Sequence, residues 1–140
     1  MMKIQRRKAN FVPFRRTRGG VEVYLSQRSK IAKQFPDMWS FWGGGIEEGE
    51  SPEQAMRREV KEELVYEFPL CTFFGIYYDT APNEKHIFYA EVGDDFENEI
   101  EIKEGQGGKF FSRREIAGLL NLVPGDELAL NDLFALLEGR

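Results

Sequence analysis

Three consecutive glycines, Gly43-Gly44-Gly45, stand just ahead of a segment where helix signals and acidic residues coincide. Glycine allows the main chain to approach another group more closely than any other residue does, so the triplet marks a place where backbone is pressed against something. Six residues on, Ser51 offers an N-cap, Pro52 suits the first helical position and Gln54 completes a capping box. The pattern predicts a helix from about Pro52 to Leu64. At about 100° per residue, Glu59, Glu62 and Glu63 fall within one arc of roughly 100°, and Met56, Val60 and Leu64 form the adjoining apolar stripe. Gln54, Arg57 and Lys61 take the solvent side. An acidic face therefore borders the core.

Like charges four residues apart cost a helix roughly 0.2–0.5 kcal/mol per pair. Arg58, four residues before Glu62, offsets part of that repulsion, and a cation would offset the rest. Clustered carboxylates favour hard cations, here Mg²⁺ or Mn²⁺. Zinc fits poorly, because the chain has one histidine and one cysteine. A solvated glutamate-rich helix is the plainer reading of the same pattern; the adjacent glycines are what set the two apart. Charge location sharpens the point. Residues 47–67 hold eight glutamates and three basic residues, and the remaining 16 acids and 16 bases cancel, so the whole net charge of −5 lies in this segment.

The rest of the chain narrows the classes. Its 140 residues suit a single domain over 1–140. The first twenty residues carry Lys3, Arg6, Arg7, Lys8, Arg15, Arg16 and Arg18 and no acid, but no apolar stretch follows as a secretion signal requires. With the balance acidic overall, stable nucleic-acid binding is not expected. No apolar run reaches the ~18 residues of a membrane span, and the expected location is cytoplasmic. The lone Cys71 excludes an internal disulfide framework and reads as a small buried hydrophobe.

Strands are predicted near Phe11–Arg15 and Val21–Ser26, joined through Gly19-Gly20, and over Leu70–Tyr78 and His86–Val92, joined by the turn Ala81-Pro82-Asn83. A loop with Pro36 leads to the aromatic piece Trp39–Trp42. Asp94–Glu104 reads as a polar loop, Lys109–Phe111 as a short strand, the stretch from Ser112 or Arg113 to Leu120 as a short helix, and Asp126–Leu137 as a helix after Pro124-Gly125. Irregular alternation of strands and helices points to an α+β chain with a mixed β-sheet between helices.

Gly44, Glu50, Arg58-Glu59-Val60 and Glu62-Glu63 follow the spacing G-x5-E-x7-R-E-U-x-E-E-x-G-U, and on these residues the chain resembles the Nudix hydrolases of the MutT-like type. The resemblance implies an α/β/α sandwich and hydrolysis of a nucleoside diphosphate linked to another group, with Mg²⁺ as cofactor and Mn²⁺ as a substitute. It implies that Glu59, Glu62 and Glu63 hold metal with the Gly43 carbonyl, and that Arg58 orients the carboxylates. One position departs. The penultimate glycine is Val65, which tolerates a left-handed helix cap poorly, so the helix is expected to run on or to leave by another turn. Trp42 stands where many relatives carry proline and is expected at the pocket edge.

Further roles follow from the same resemblance. Glu104-Gly105-Gln106 is similar to the Glu-Gly-Gln of bacterial MutT-type members, which makes Glu104 a candidate metal ligand and general base; the alternative is a solvated loop acid beside Glu101. The candidate catalytic set is thus Arg58, Glu62, Glu63 and Glu104. Arg28 is a candidate phosphate contact or a plain surface charge, and Asp126 either reads a base edge or caps its helix. Phe41, Trp42 and Tyr78 are stacking candidates, and His86 reads more readily as a structural strand residue. The first substrate reading is a nucleoside triphosphate, oxidised forms included, cleaved to monophosphate and pyrophosphate. ADP-ribose or a nucleotide sugar is the second, drawn from Pro82 sixteen residues after Tyr66. A non-catalytic binding module is the third. The implied partner is a small nucleotide, bound by a monomer or homodimer.

Overall fold

The structure, a computed structural model, describes residues 3–139. Its organising element is β1 (Arg6–Thr17), which runs parallel to β6 (Asn83–Glu91) over nearly its whole length. Two different strands share the rest of its pairing. β4 (Trp42–Gly45) pairs antiparallel with residues 8–11 and β2 (Gly20–Gln27) with residues 14–17. Pro13, which has no N–H to donate, lies between the two ladders. β5 (Thr72–Tyr78) adds to β6, while β3 (Trp39–Ser40) and β7 (Gly107–Ser112) add to β2. The result is a seven-stranded mixed sheet.

The two-residue period of β1 builds two cores from one strand. Ala9 and Phe11 join Tyr24, Trp42 and Phe88 beneath α1 (Pro52–Leu64), which contributes Ala55, Met56, Val60 and Leu64. Val12 and Phe14 face the other way, packing with Val23, Leu25 and Ile87 against Ile116 of α3 (Arg113–Ala117) and Ala129, Leu130, Leu133 and Phe134 of α4 (Asp126–Glu138). The sheet therefore lies between helices, the α/β/α arrangement expected.

Local expectations needed correction in four places. β1 begins at Arg6 rather than Phe11, because parallel pairing with β6 carries the strand through residues whose charge hides their strand character. The acidic loop contains a single helical turn, α2 (Phe96–Glu99), pinned by the fully buried Phe96. Cys71 is half-buried, its Sγ 3.7 Å from Arg57 Nη2, rather than a core hydrophobe.

The fourth correction concerns the end of α1. The helix neither continues nor takes another exit: Val65 itself adopts the left-handed conformation at φ 51°, ψ 47°, with its N–H on the Lys61 carbonyl. The reason is tertiary. The carbonyls of Glu63 and Leu64, which a longer helix would use internally, accept hydrogen bonds from Lys103 N at 2.8 Å and Glu101 N at 2.9 Å. Among the described residues no helix is long and apolar enough to cross a membrane.

Candidate active site

The site forms where α1 lies against β4. Ser51 caps the helix in both directions: its hydroxyl accepts from Gln54 N, and the Gln54 side chain accepts from Ser51 N. This fixes where the helix starts and so which glutamates face the glycine strand. Gly43 adopts φ +122°, and a Cβ there would lie 2.1 Å from the Ala9 carbonyl oxygen. At Gly44 the obstacle is the site itself, since a Cβ would lie 2.6 Å from the Glu59 carboxyl carbon. Gly43 is therefore required by its backbone conformation and the facing strand, and Gly44 by a carboxylate resting on bare backbone.

Arg58 organises the acids. Its Nε and Nη2 donate to the two oxygens of Glu50 at 2.7 and 2.9 Å, Nη1 donates to Glu59 Oε1 at 2.9 Å, and Nη2 also reaches the Gly45 carbonyl at 3.1 Å. Glu62, half-exposed, lies at 3.5 Å from Nη1. The bidentate bonds to Arg58 hold the Glu50 carboxyl down at about 2. Glu63 lies outside this clamp. It is 9% exposed, and its Oε1 accepts from Gly43 N at 2.8 Å. Burial pushes its pKa up to about 8; the Gly43 bond opposes the rise, and the like charges of Glu59, Glu104 and Glu62 add to it. Burial raises Glu59 too, against the pull of Arg58.

Glu63 and Glu104 line a cleft of about 160 Å³ whose walls also include Ser26, Arg28, Phe41, Trp42 and Gly43. Glu104 is exposed at the rim. Arg28 is anchored by Nε to the Gln34 carbonyl at 2.8 Å and faces the same cleft. The fold thus brings Arg28, Gly43, Glu59, Glu63 and Glu104 to one place, with Arg58 behind them and Glu62 on the open side.

Two further expected substrate contacts are engaged by the fold, Trp42 at the cleft wall and Asp126 away from it. Trp42 contributes to the cleft wall, as expected, but its indole is 1% exposed and stacked on Tyr24 with ring centroids 5.8 Å apart, so it offers no open face for stacking. Strand alternation explains this, because Trp42 pairs with Phe11 on the side of the sheet covered by α1. Asp126 neither caps α4 nor stands free; the cap position is Gly125. Its carboxylate is buried, accepting from Lys85 Nζ at 2.8 Å and Ser40 Oγ at 2.7 Å. Tyr78 lies on β5 with its hydroxyl 3.4 Å from Glu84, away from the cleft walls. His86 is buried in β6 with Nε2 3.3 Å from Glu84, a structural placement.

The sequence reading missed Lys8, Asn10, Asp79 and Lys85, which line a polar recess behind the cleft. A signal existed: Lys8 and Asn10 continue the inward-facing positions of Val12 and Phe14, but only once β1 is known to start early.

Among the described residues no three carboxylate, imidazole or thiol groups converge closely enough to hold one ion. Arg58 draws Glu59 and Glu62 to itself, and Gly43 holds Glu63. The donor chemistry nevertheless suits a hard divalent cation. Glu59 and Glu63 are oxygen donors whose ionised forms are disfavoured by burial and by each other, and a cation relieves both effects.

Comparison with known proteins gives the family to which this arrangement of sheet, helices and acidic cleft belongs. The model of the NUDIX domain family matches residues 5–133, and the chain belongs to that family. It is 48% identical over 44 residues to an RNA pyrophosphohydrolase of a Nitratiruptor species, a stretch covering 31% of this chain and 26% of that relative. With the 8-oxo-dGTP diphosphatase of Proteus vulgaris it shares 29% identity over 83 residues, 59% of this chain and 73% of that enzyme. The chain thus matches about a quarter of the first relative's length and nearly three quarters of the second's. In fold it resembles the crystal structure of a mutT/nudix family protein from Listeria innocua, with TM-score 0.72 and 21% identity over 96% of this chain and 95% of that one.

Proposed function

We propose that this chain hydrolyses the diphosphate linkage of a nucleotide, converting a nucleoside triphosphate, oxidised forms included, to the monophosphate and pyrophosphate with Mg²⁺ or Mn²⁺. The observation that carries the reading is the buried Glu63, held by Gly43 N beside Glu59 and Glu104, in a cleft that Arg28 also faces. Glu59, Glu62, Glu63 and the Gly43 carbonyl are the groups that would hold the metal. A bound divalent cation supplies charge neutralisation, polarisation of a phosphoryl oxygen and acidification of a water molecule.

The chain's own groups then divide the work. Arg58 is a positioning residue: it keeps Glu59 and Glu50 in fixed orientation and, fully engaged with them, has no need to touch substrate. Arg28, whose terminal nitrogens face the cleft, is a substrate contact. Glu104, exposed at the rim, accepts the proton of the attacking water. Water oxygen bonds to phosphorus, the bridging P–O bond breaks, and the released group leaves with the bridging oxygen. The expected setting is the cytoplasm.

Product analysis tests the reading. Purified protein is incubated with nucleoside triphosphates, 8-oxo-dGTP, ADP-ribose and nucleotide sugars, with and without Mg²⁺ or Mn²⁺, and the phosphorus products are separated. Monophosphate plus pyrophosphate from triphosphates, formed only with metal, is the expected result. Turnover confined to ADP-ribose or sugar nucleotides shifts the substrate assignment, and no metal-dependent turnover on any of them ends it.

A further inference from the structure

Behind the acidic cleft, and sharing Arg28, Phe41 and Gly43 with it, is a recess of about 20 Å³. That is room for one water-sized group. Lys8, Asn10, Ser40, Asp79 and Lys85 complete its polar walls.

Hydrogen-bond accounting separates the satisfied groups from the free ones. Lys85 Nζ is 2.8 Å from Asp126 Oδ1, 3.3 Å from Asp79 Oδ2 and 3.4 Å from Ser40 Oγ, so its donors are used. Ser40 Oγ donates to Asp126 Oδ2. Asp79 is taken up by Ala81 N, Asn83 N and Asn83 Nδ2. Of the groups that line the recess, three sets of atoms find no partner among the described residues. They are the Lys8 ammonium, the terminal nitrogens of Arg28, whose only bond is made through Nε, and Asn10 Oδ1. Asn10 is 4% exposed, its Nδ2 is committed to the Trp42 carbonyl at 3.2 Å, and Oδ1 is buried without a donor. Native proteins seldom leave such an atom orphaned. Lys8 is likewise costly: burial and the nearby charges of Lys85, Arg28 and Arg6 lower its pKa to about 8.

The free set is several cationic donors and one neutral acceptor, in a recess that admits a single exocyclic atom. A phosphate oxygen would answer the donors but oppose Asn10 Oδ1. An exocyclic amino group would answer Asn10 but point its hydrogens at an ammonium and a guanidinium. A keto oxygen with an adjacent ring N–H answers both. We propose that Lys8, Arg28 and Asn10 read the lactam edge of a nucleobase, with Lys8 and Arg28 donating to the keto oxygen and Asn10 Oδ1 accepting the neighbouring N–H, so that the site selects 6-oxopurine and 4-oxopyrimidine nucleotides over adenine and cytosine ones. The ring itself lies in the wider cleft along Phe41, which lines both spaces. Rejection of amino bases comes from donor facing donor.

The inference rests on the nucleotide-hydrolase reading, and its test keeps the two apart. Wild-type kcat/KM is measured on GTP, ITP and UTP against ATP and CTP. A preference of about tenfold or more for the keto group is expected, since leaving buried polar groups unpaired is heavily penalised. Asn10→Leu and Lys8→Met, with folding checked by circular dichroism, should each bring that ratio toward one. Equal or reversed preference in the wild type overturns the proposal, as does a ratio unchanged in both folded variants. If no triphosphate is turned over, the triphosphate assignment fails, and calorimetric binding of GMP and UMP against AMP and CMP then decides the recess separately. Tighter binding of the keto pair supports it, and equal or absent binding overturns it.

Discussion

Glu63 Oε1 accepts a hydrogen bond from the backbone N–H of Gly43 at 2.8 Å, across twenty residues of sequence. With the Arg58 bond to the Gly45 carbonyl, this contact fastens the acidic helix to the glycine strand, and it orients a carboxylate that the helix alone leaves free. Glu50, Glu59 and Glu62 are governed by a cation; Glu63 is governed by main chain. It is therefore the acid of the cluster most dependent on an added cation to ionise.

Glu63→Gln keeps an oxygen to accept from Gly43 and removes the charge. Activity should fall by about a hundredfold or more, at least the cost of losing an outer-shell partner of a metal ligand. The metal-free fold should persist. Initial rates and far-ultraviolet circular dichroism check both parts; a fully active variant means that Glu63 holds no metal.

Metal-free stability should depend on pH through the same residue. Folding raises the Glu63 pKa from an ordinary carboxylate value to about 8, so the native state binds the proton more tightly than the unfolded state. Its contribution is fully present below the unfolded pKa and is lost as pH rises from about 4.5 to 8. Melting temperatures measured in chelator should decline across that window, and the decline should be shallower in Glu63→Gln. A wild-type curve with no such decline contradicts the assignment.

Arg58→Lys preserves charge but loses the fork that grips both oxygens of Glu50 while holding Glu59. Lysine supplies a point charge without that geometry. Activity should drop about 10–100-fold, with more metal needed for half-maximal rate. The metal titration is the discriminating readout, because simple destabilisation would leave the midpoint where it was.

Val65 occupies a left-handed conformation that costs a branched residue about 1–2 kcal/mol, and its side chain is half-exposed, so little packing is lost with it. Val65→Gly should raise stability by about 1 kcal/mol, after allowing for glycine's greater freedom in the unfolded chain. Urea unfolding measures it. A loss of stability would show that the valine's packing outweighs its backbone strain.

Much of the fold was legible because the relevant signals are local. The capping box placed the start of α1 at Pro52 and the apolar stripe its buried face, and the glycine and glutamate spacing identified the family whose domain model matches. Other misreadings share a cause. Arg6, Arg7 and Lys8 look like solvated basic residues until parallel pairing with β6 makes them strand, and only then does alternation turn Lys8 and Asn10 inward. Trp42 looks like a stacking surface until its register with Phe11 places it under α1. Asp126 looks like a helix cap until Lys85, 41 residues away, takes its carboxylate.

The line between the two kinds of information follows the range of the forces involved. Helix capping, apolar periodicity and the spacing of the acids act within a few residues, so the amino-acid order alone determined an acidic helix beside a bare-backbone strand. Which acids are buried, which are clamped by Arg58, where α1 stops and which polar groups are left unpaired depend on segments far apart in the chain. Those were decided when the sheet closed and the carbonyls at the end of α1 found donors at Glu101 and Lys103.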